Sequence, residues 1–213
     1  MFKYLTILGS LLIFAAHANV ANAQLAVTSS GTKEVTLNDN VNKNQFIWLS
    51  EAPLENIRGT SEGITGSFSI DPKDLTTMRG SVVTQTNTMK TGNGPRDNHL
   101  YSPEWLGAAK YPTITFKIAS VSNVKASGNT ATALVSGAFT MHGVTKQETV
   151  PIKLTYLVAS DKTRQRAPGD LVMISADFSL SLKDFNIAGT EGVIGSKVGE
   201  NIKVTAQLFG NTH

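Results

Sequence analysis

The stretch that decides the fold is residues 172–182, VMISADFSLSL, where apolar and polar side chains alternate with a period of two. The even positions run from Val172 to Leu182 and are all apolar, whereas most odd positions carry serine or aspartate. Successive side chains of a β-strand point to opposite faces, so this period predicts a strand covered on one side only.

The alternation recurs along the chain, clearly in some segments and weakly in others. Turn residues separate the segments, and no long helical period lies between neighbours, so the sheet is expected to be antiparallel. Eight such strands, each with one apolar face, predict a closed barrel or a sandwich. The seven further strand candidates are residues 45–50, 64–70, 80–89, 113–118, 131–141, 150–158 and 202–208.

An outer-membrane barrel would also alternate, but its outer face would have to meet lipid. Here the opposite face carries Lys117, Lys153, Asp177 and Lys203. The pattern therefore favours an outer face in water and an apolar interior.

Two Pro-containing segments predict helix starts, because each places a capping residue before a proline. They are Asp71-Pro72 and Ser102-Pro103. The second falls within residues 91–110, which we predict to be a long loop with a short helix between two strands. Such an insertion at a barrel mouth is either a lid over the interior or a cap that plugs one end.

The N-terminus is typical of a secretory signal peptide. A positively charged start is followed by an apolar run over residues 5–16 and by Ala21-Asn22-Ala23. We expect a cleaved signal peptide at residues 1–23, one barrel domain at 24–213, and a periplasmic or secreted protein; an uncleaved anchor is the alternative. No second apolar stretch approaches membrane length, so no stable membrane insertion is expected.

Composition excludes several kinds of site. The chain has no cysteine, hence no disulfide and no thiolate metal site. Its net charge is +3 without a run of basic residues, which gives no nucleic-acid footprint. His99, His142 and His213 do not have metal-ligand spacing, and no Gly-x-Ser-x-Gly elbow is present. We expect no metal and no catalytic residue; a hydrolase using His99 or His142 as base is the alternative.

Several motifs stand at a characteristic spacing along the chain. They are Thr91-Gly92-Asn93, Arg96-Asp97-Asn98-His99-Leu100, Trp105-Leu106, Lys110 to Lys117, Gly137 to Lys146, and Phe178 to Ile187. Together these motifs resemble those of the YceI-like family. The resemblance covers about residues 45–209, with a first hairpin that departs from the commonest family pattern over Lys43 to Gly59.

The resemblance implies an extended, eight-stranded, lipocalin-like antiparallel barrel that binds a long apolar lipid. The implied ligand is a polyisoprenoid or isoprenoid quinone, with no other cofactor. Arg96 and His99 are the head-group candidates. Candidate ligand-binding residues on the apolar strand faces and the loop are Phe46, Trp48, Phe68, Met89, Leu100, Trp105, Phe116, Phe139, Met141, Phe178, Leu180 and Phe185.

Three points stay open at the level of sequence. The same side chains could simply fill the barrel, which would suit a ligand-free scaffold for a membrane redox protein. That scaffold would have no void between Trp48, Phe116 and Phe178. Arg96 and Asp97 could instead stabilise the loop, and His142 could be a turn residue. A homodimer through a strand edge or the first hairpin is possible.

Overall fold

A computed structural model describes residues 23–212, which form one closed antiparallel barrel. The predicted signal peptide lies outside the described residues except for Ala23. Helix α1 spans Gly94–Tyr101, and the single-turn helix α2 spans Asp161–Arg164. The strands are β1 (Lys33–Leu37), β2 (Gln45–Glu51), β3 (Asn56–Ser61), β4 (Thr65–Asp71), β5 (Asp74–Gln85), β6 (Thr113–Ser127), β7 (Thr130–Met141), β8 (Val144–Leu157), β9 (Leu171–Ser181) and β10 (Asn201–Thr212).

The ten strands occupy eight positions around the barrel, which confirms the predicted eight-stranded barrel. Strand order is β1-β4-β5-β6-β7-β8-β9-β10, and β1 pairs back onto β10 to close the ring. β2 pairs with the first half of β10 and β1 with its last residues. β1 and β2 thus lie end to end at one position of the barrel, and β3 and β4 lie end to end at the next.

Beside β3 the ring is closed by a short seam. After β5, a 3₁₀ turn at Thr86–Thr88 brings Lys90 against Thr60 of β3. The two residues exchange both backbone hydrogen bonds, each 2.8 Å from nitrogen to oxygen. The hydroxyls of Ser61 and Thr84 lie 3.0 Å apart just inside this seam.

Both predicted helix starts are wrong. Asp71-Pro72 forms the tight turn between β4 and β5, where the Asp71 carboxylate accepts a hydrogen bond from the Lys73 amide at 2.8 Å. A carboxylate that bonds the amide two residues on makes an Asx turn, which has the same composition as a helix cap. The threonines and valines that follow favour a strand.

The helix of the 91–110 loop lies earlier than Ser102-Pro103. Helix α1 begins at Gly94, where the Asn93 side chain accepts from the Arg96 amide at 3.2 Å and Pro95 occupies the first turn. Ser102 ends the helix, and its hydroxyl donates to the Glu104 carboxylate at 2.7 Å.

Strand β1 was missed because it is only five residues long, and β3 because its inward row is poor in large apolar residues. β3 turns Ile57, Gly59 and Ser61 inward, a row that does not read as apolar. Gly59 has to be small, because a Cβ there would lie 2.1 Å from the Trp48 ring.

The lower half of the barrel, which β1 and β4 enclose, is filled by a cluster of buried apolar side chains. Phe68, Ile70, Met78 and Tyr156 belong to one buried cluster. The segment after Ala23 enters this end of the barrel, with Leu25 fully buried and its amide bonded to the Pro72 carbonyl at 2.8 Å.

Within residues 23–212, no helix is long and apolar enough to cross a bilayer.

The carboxylate of Asp170 stabilises this lower end of the barrel through a network of hydrogen bonds. Asp170 accepts hydrogen bonds from the Tyr156 hydroxyl at 2.6 Å, the Ser29 hydroxyl at 2.7 Å and the Ala159 amide at 2.8 Å. Its own amide donates to the Thr212 hydroxyl at 2.9 Å. Burial alone would raise the pKa of Asp170, but the hydrogen bonds outweigh it and hold the pKa below the ordinary value of 3.8.

We expect Tyr156→Phe to lower the free energy of unfolding by about 2 kcal/mol at pH 7, since a hydrogen bond to a charged group contributes about 1.5–3 kcal/mol. A carboxyl with a depressed folded pKa stabilises above its unfolded pKa, and this contribution is lost as pH falls through the folded pKa. The loss should therefore shrink below pH 3.8. Urea unfolding at pH 7 and pH 2.5 measures this loss.

The control Tyr111→Phe alters a ring that packs on His142, and any loss of stability there should not shrink at low pH in this way. An equal loss for Tyr156→Phe at both pH values would contradict the assignment.

Candidate ligand-binding cavity

The upper half of the barrel, which β2 and β3 enclose, holds a cavity of about 590 Å³. Its volume lies within the range of about 300–1,000 Å³ typical of small-molecule sites. Trp48, Phe116 and Phe178 all line it. The barrel is therefore not packed shut between these three side chains.

A layer of small side chains separates the cavity from the packed lower half. Ala176 of β9 pairs directly with Ala206 of β10, and both are buried. Phe46 and Phe116 pack against this layer. Because both rings also line the cavity, they form its floor on this layer.

Ten of the twelve predicted ligand-binding residues line the cavity. Phe68 does not, because it lies in the lower core. Phe185 is fully buried behind the wall, with its ring 5.5 Å from that of Phe139. The ten that line the cavity are Phe46, Trp48, Met89, Leu100, Trp105, Phe116, Phe139, Met141, Phe178 and Leu180.

Sequence reasoning missed lining residues of two kinds. Ile202 and Val204 belong to an alternating row that had been recognised, so their inward direction could have placed them. The segment after β9 carries apolar side chains without a period, and only its fold over the mouth brings them to the cavity. These residues are Ile187, Val193 and Val198.

Charged groups gather at the mouth. The Arg96 guanidinium on α1 pairs with the Glu55 carboxylate at the tip of the β2–β3 hairpin, 2.6 Å apart. His99 and Lys197 also line this rim. The apolar wall thus ends in a polar entrance between α1, the hairpin tip and the segment after β9.

Backbone and side-chain bonds hold α1 over the mouth. The Asp97 carboxylate accepts from both the amide and the hydroxyl of Thr91 at 2.7 Å. The Tyr101 hydroxyl donates to the Met89 carbonyl at 2.5 Å. Burial, and secondarily the nearby Asp97 charge, raise the pKa of Tyr101, which stays a donor. The Asp97 carboxylate therefore stabilises the loop, whereas the Arg96 guanidinium connects α1 to the β2–β3 hairpin through Glu55.

The two histidines considered for catalysis lie in different places. His99 is on the rim, whereas His142 sits in the turn between β7 and β8 with a positive φ of 51°. The His142 ring nitrogen lies 3.1 Å from the Phe185 carbonyl, and its ring packs on Tyr111. Among residues 23–212, no group of three or more His, Asp or Glu side chains is arranged to hold a metal ion.

The sequence profile of the YceI-like domain matches residues 43–209. The chain belongs to the YceI-like family. Protein YceI of Salmonella arizonae is 33% identical over 140 residues, which cover 66% of this chain and 68% of that protein. The matched range agrees with the extent of the resemblance predicted from the motifs.

Solved structures of YceI-like and related proteins share the barrel at low sequence identity, so they bear on the fold alone. Burkholderia cenocepacia BcnA superimposes with a TM-score of 0.65 at 17% identity, covering 81% of this chain and 98% of that one. The YCEI protein of Campylobacter jejuni gives 0.61 at 18% identity, with 76% and 88% covered. A polyisoprenoid binding domain from Saccharophagus degradans gives 0.60 at 12% identity, with 86% and 100% covered.

Gly59 sets the position of the Trp48 ring in this YceI-like barrel. A Cβ on Gly59 would lie 2.1 Å from the indole and 2.8 Å from the Lys90 carbonyl. We expect Gly59→Ala to cost about 1–3 kcal/mol of stability, because the ring or the seam must move. Urea unfolding and the wavelength of tryptophan emission measure the two effects. Gly94→Ala is the matched control, since an added Cβ there meets open space; similar behaviour of the two variants would disprove the close packing.

The Arg96–Glu55 pair is expected to govern ligand exchange more than stability. Both side chains are about one-third exposed, and such pairs contribute roughly 0–1 kcal/mol. Arg96→Gln should speed release of a bound apolar probe several-fold in stopped-flow displacement, with little change in unfolding. Arg164→Gln, which breaks an exposed pair with Asp161 on α2, should leave release unchanged. Equal release rates for wild type and Arg96→Gln would show that the pair does not latch the mouth.

Proposed function

We propose that this chain binds a long apolar lipid in the upper-barrel cavity, that the lipid is a polyisoprenoid or isoprenoid quinone, and that the protein carries or sequesters it outside the cytoplasm. The observation that carries the proposal is the cavity itself. Aromatic and aliphatic side chains from seven strands, the 91–106 segment and the segment after β9 line it almost completely. A polyprenyl tail has no polar group to satisfy, so an apolar, enclosed wall suits it.

The packed lower half determines how such a ligand would enter. The cavity ends at the Ala176–Ala206 layer, so a chain cannot run through the whole barrel. It would enter and leave through the mouth beside α1. Each CH₂ group removed from water there contributes roughly 0.8 kcal/mol, so even a partly enclosed tail would bind well.

The ligand class is supported by kinship of fold. The Saccharophagus degradans domain, which shares this barrel, is described as a polyisoprenoid binding domain. Membership of the YceI-like family points the same way. Location outside the cytoplasm follows from the predicted signal peptide, and a homodimer stays a prediction.

Binding without chemistry suits the site better than hydrolysis. A hydrolase would need a nucleophile and base within hydrogen-bond reach. Here the cavity wall is apolar, His99 lies on the rim, and His142 is committed to a turn.

Mass spectrometry tests the proposal directly. Protein purified from its own cell envelope without detergent should yield a stoichiometric polyprenyl species on organic extraction, whose mass gives head group and chain length. The intact protein mass should correspond to a chain that begins at Gln24. An empty extract from folded, monodisperse protein would contradict the carrier function.

A matched pair of variants places the ligand. Val204→Trp adds bulk at a position that lines the cavity, whereas Ser179→Trp adds the same ring on the exposed face of the adjoining strand. We expect Val204→Trp to lose the extracted lipid and Ser179→Trp to retain it. Retention by both folded variants would mean that the lipid binds elsewhere.

A further inference from the structure

Trp48 has a donor that the protein leaves unused. Its side chain lines the cavity and is only 7% exposed, and its indole nitrogen is buried with no hydrogen-bond acceptor. Among the buried side-chain nitrogen and oxygen atoms of residues 23–212, this indole nitrogen is the one that lacks a hydrogen-bond partner. Buried donors are almost always paired in folded proteins, so an unpaired one calls for an explanation.

The position of the indole is fixed by its surroundings. Trp48 on β2 stands directly opposite Gly59 on β3, and the ring lies across the space that a Cβ of Gly59 would fill. The ring can occupy this position because residue 59 has no side chain. Its placement therefore depends on the glycine in this sequence.

A second donor lies beside the first. Ser61 and Thr84 are buried, line the cavity and share one hydrogen bond at 3.0 Å. Two hydroxyls carry two protons, and the bond between them uses one, so the other is left to donate. Ser61 is the diagonal cross-strand neighbour of Trp48, a separation of about 7–8 Å that large side chains and ligands can bridge.

This donor pair is suited to an uncharged partner. The charged groups that line the cavity are at its mouth, whereas the Lys90 ammonium beside the seam is directed toward Glu62 on the outside. An anion placed in the apolar interior without a cation would be strongly disfavoured. A neutral oxygen that accepts hydrogen bonds carries no such penalty.

We propose that Trp48 and the Ser61–Thr84 pair bind a neutral oxygen acceptor of the ligand, a carbonyl, ether or hydroxyl oxygen, inside the barrel. The inference rests on the proposed function and refines it: the bound lipid is not a bare hydrocarbon, and its polar end lies beside Trp48 instead of at Arg96 and His99 on the rim. Trp48 is then a specificity-determining residue for lipids that carry such an oxygen.

The test uses two probes of nearly the same shape, decylbenzoquinone and decylbenzene, which differ in two carbonyl oxygens. Each displaces bound phenylnaphthylamine, whose fluorescence reports the dissociation constant. Wild type should prefer the quinone, and Trp48→Phe should reduce that preference about tenfold, the size expected for one lost hydrogen bond. Trp105→Phe, which alters another cavity-lining indole, should weaken both probes alike.

A second measurement needs no variant of Trp48. The chain has two tryptophans, so its nitrogen–proton spectrum contains two indole signals, and Trp105→Phe assigns them. The Trp48 signal should move downfield with decylbenzoquinone and not with decylbenzene. If both probes bind wild type with no preference and the indole signal responds equally to each, Trp48 does not bind an oxygen acceptor of the ligand. The carrier function would then still stand. If neither probe displaces the dye, the proposed function fails and the inference with it.

Discussion

Strand β10 is the element on which the rest of this barrel depends, because its two halves close the ring through different partners. Residues 210–212 pair with β1, and residues 202–207 pair with β2, while β9 runs along the whole opposite edge. One continuous strand therefore supports two separate wall segments, β1 with β4 in the lower half and β2 with β3 in the upper half. The lower segment covers a packed core, whereas the upper segment borders the cavity.

The two halves divide these tasks in their side chains. The lower interior contains Tyr156 and Phe68 in dense contact, and the Asp170 network ties β9, the residues around Ser29 and the end of β10 together. The upper interior has comparable apolar side chains around a void. Side chains that face a void lose dispersion contacts, so the upper half contributes less to folding per residue than the lower half. The stability that permits an open cavity thus comes from the opposite end of the molecule.

Alternation was enough to predict an antiparallel protein of eight strands and the direction of most cavity-lining side chains, and the family resemblance then indicated a barrel instead of a sandwich. It could not give depth along the barrel. Phe68 and Phe178 both occupy inward positions of alternating strands, yet one lies in the packed core and the other in the cavity wall. Depth depends on strand stagger, which is set by pairings between distant residues that no local pattern records.

Local chemistry misled where one motif serves two structures. Asp-Pro at 71–72 can cap a helix or make a hairpin turn, and only the pairing of β4 with β5 decides between them. The unsatisfied Trp48 nitrogen and the small Gly59 were also invisible, because their meaning arises from register: position 48 of β2 meets position 59 of β3.

The first hairpin, β2–β3, contributes to both the cavity and its mouth. It supplies Trp48 to the cavity wall and Glu55 to the mouth, and its Gly59 leaves room for the Trp48 ring. Along one edge it pairs with β10, whereas the attachments of its other edge within residues 23–212 are the Thr60–Lys90 bridge and a few side-chain bonds. An element with so few bonds on one edge opens at lower free energy than the long β6–β7 ladder. The proposed recognition by Trp48 and the proposed exchange through the mouth therefore depend on the same hairpin, which is also the part of the wall that can most easily move.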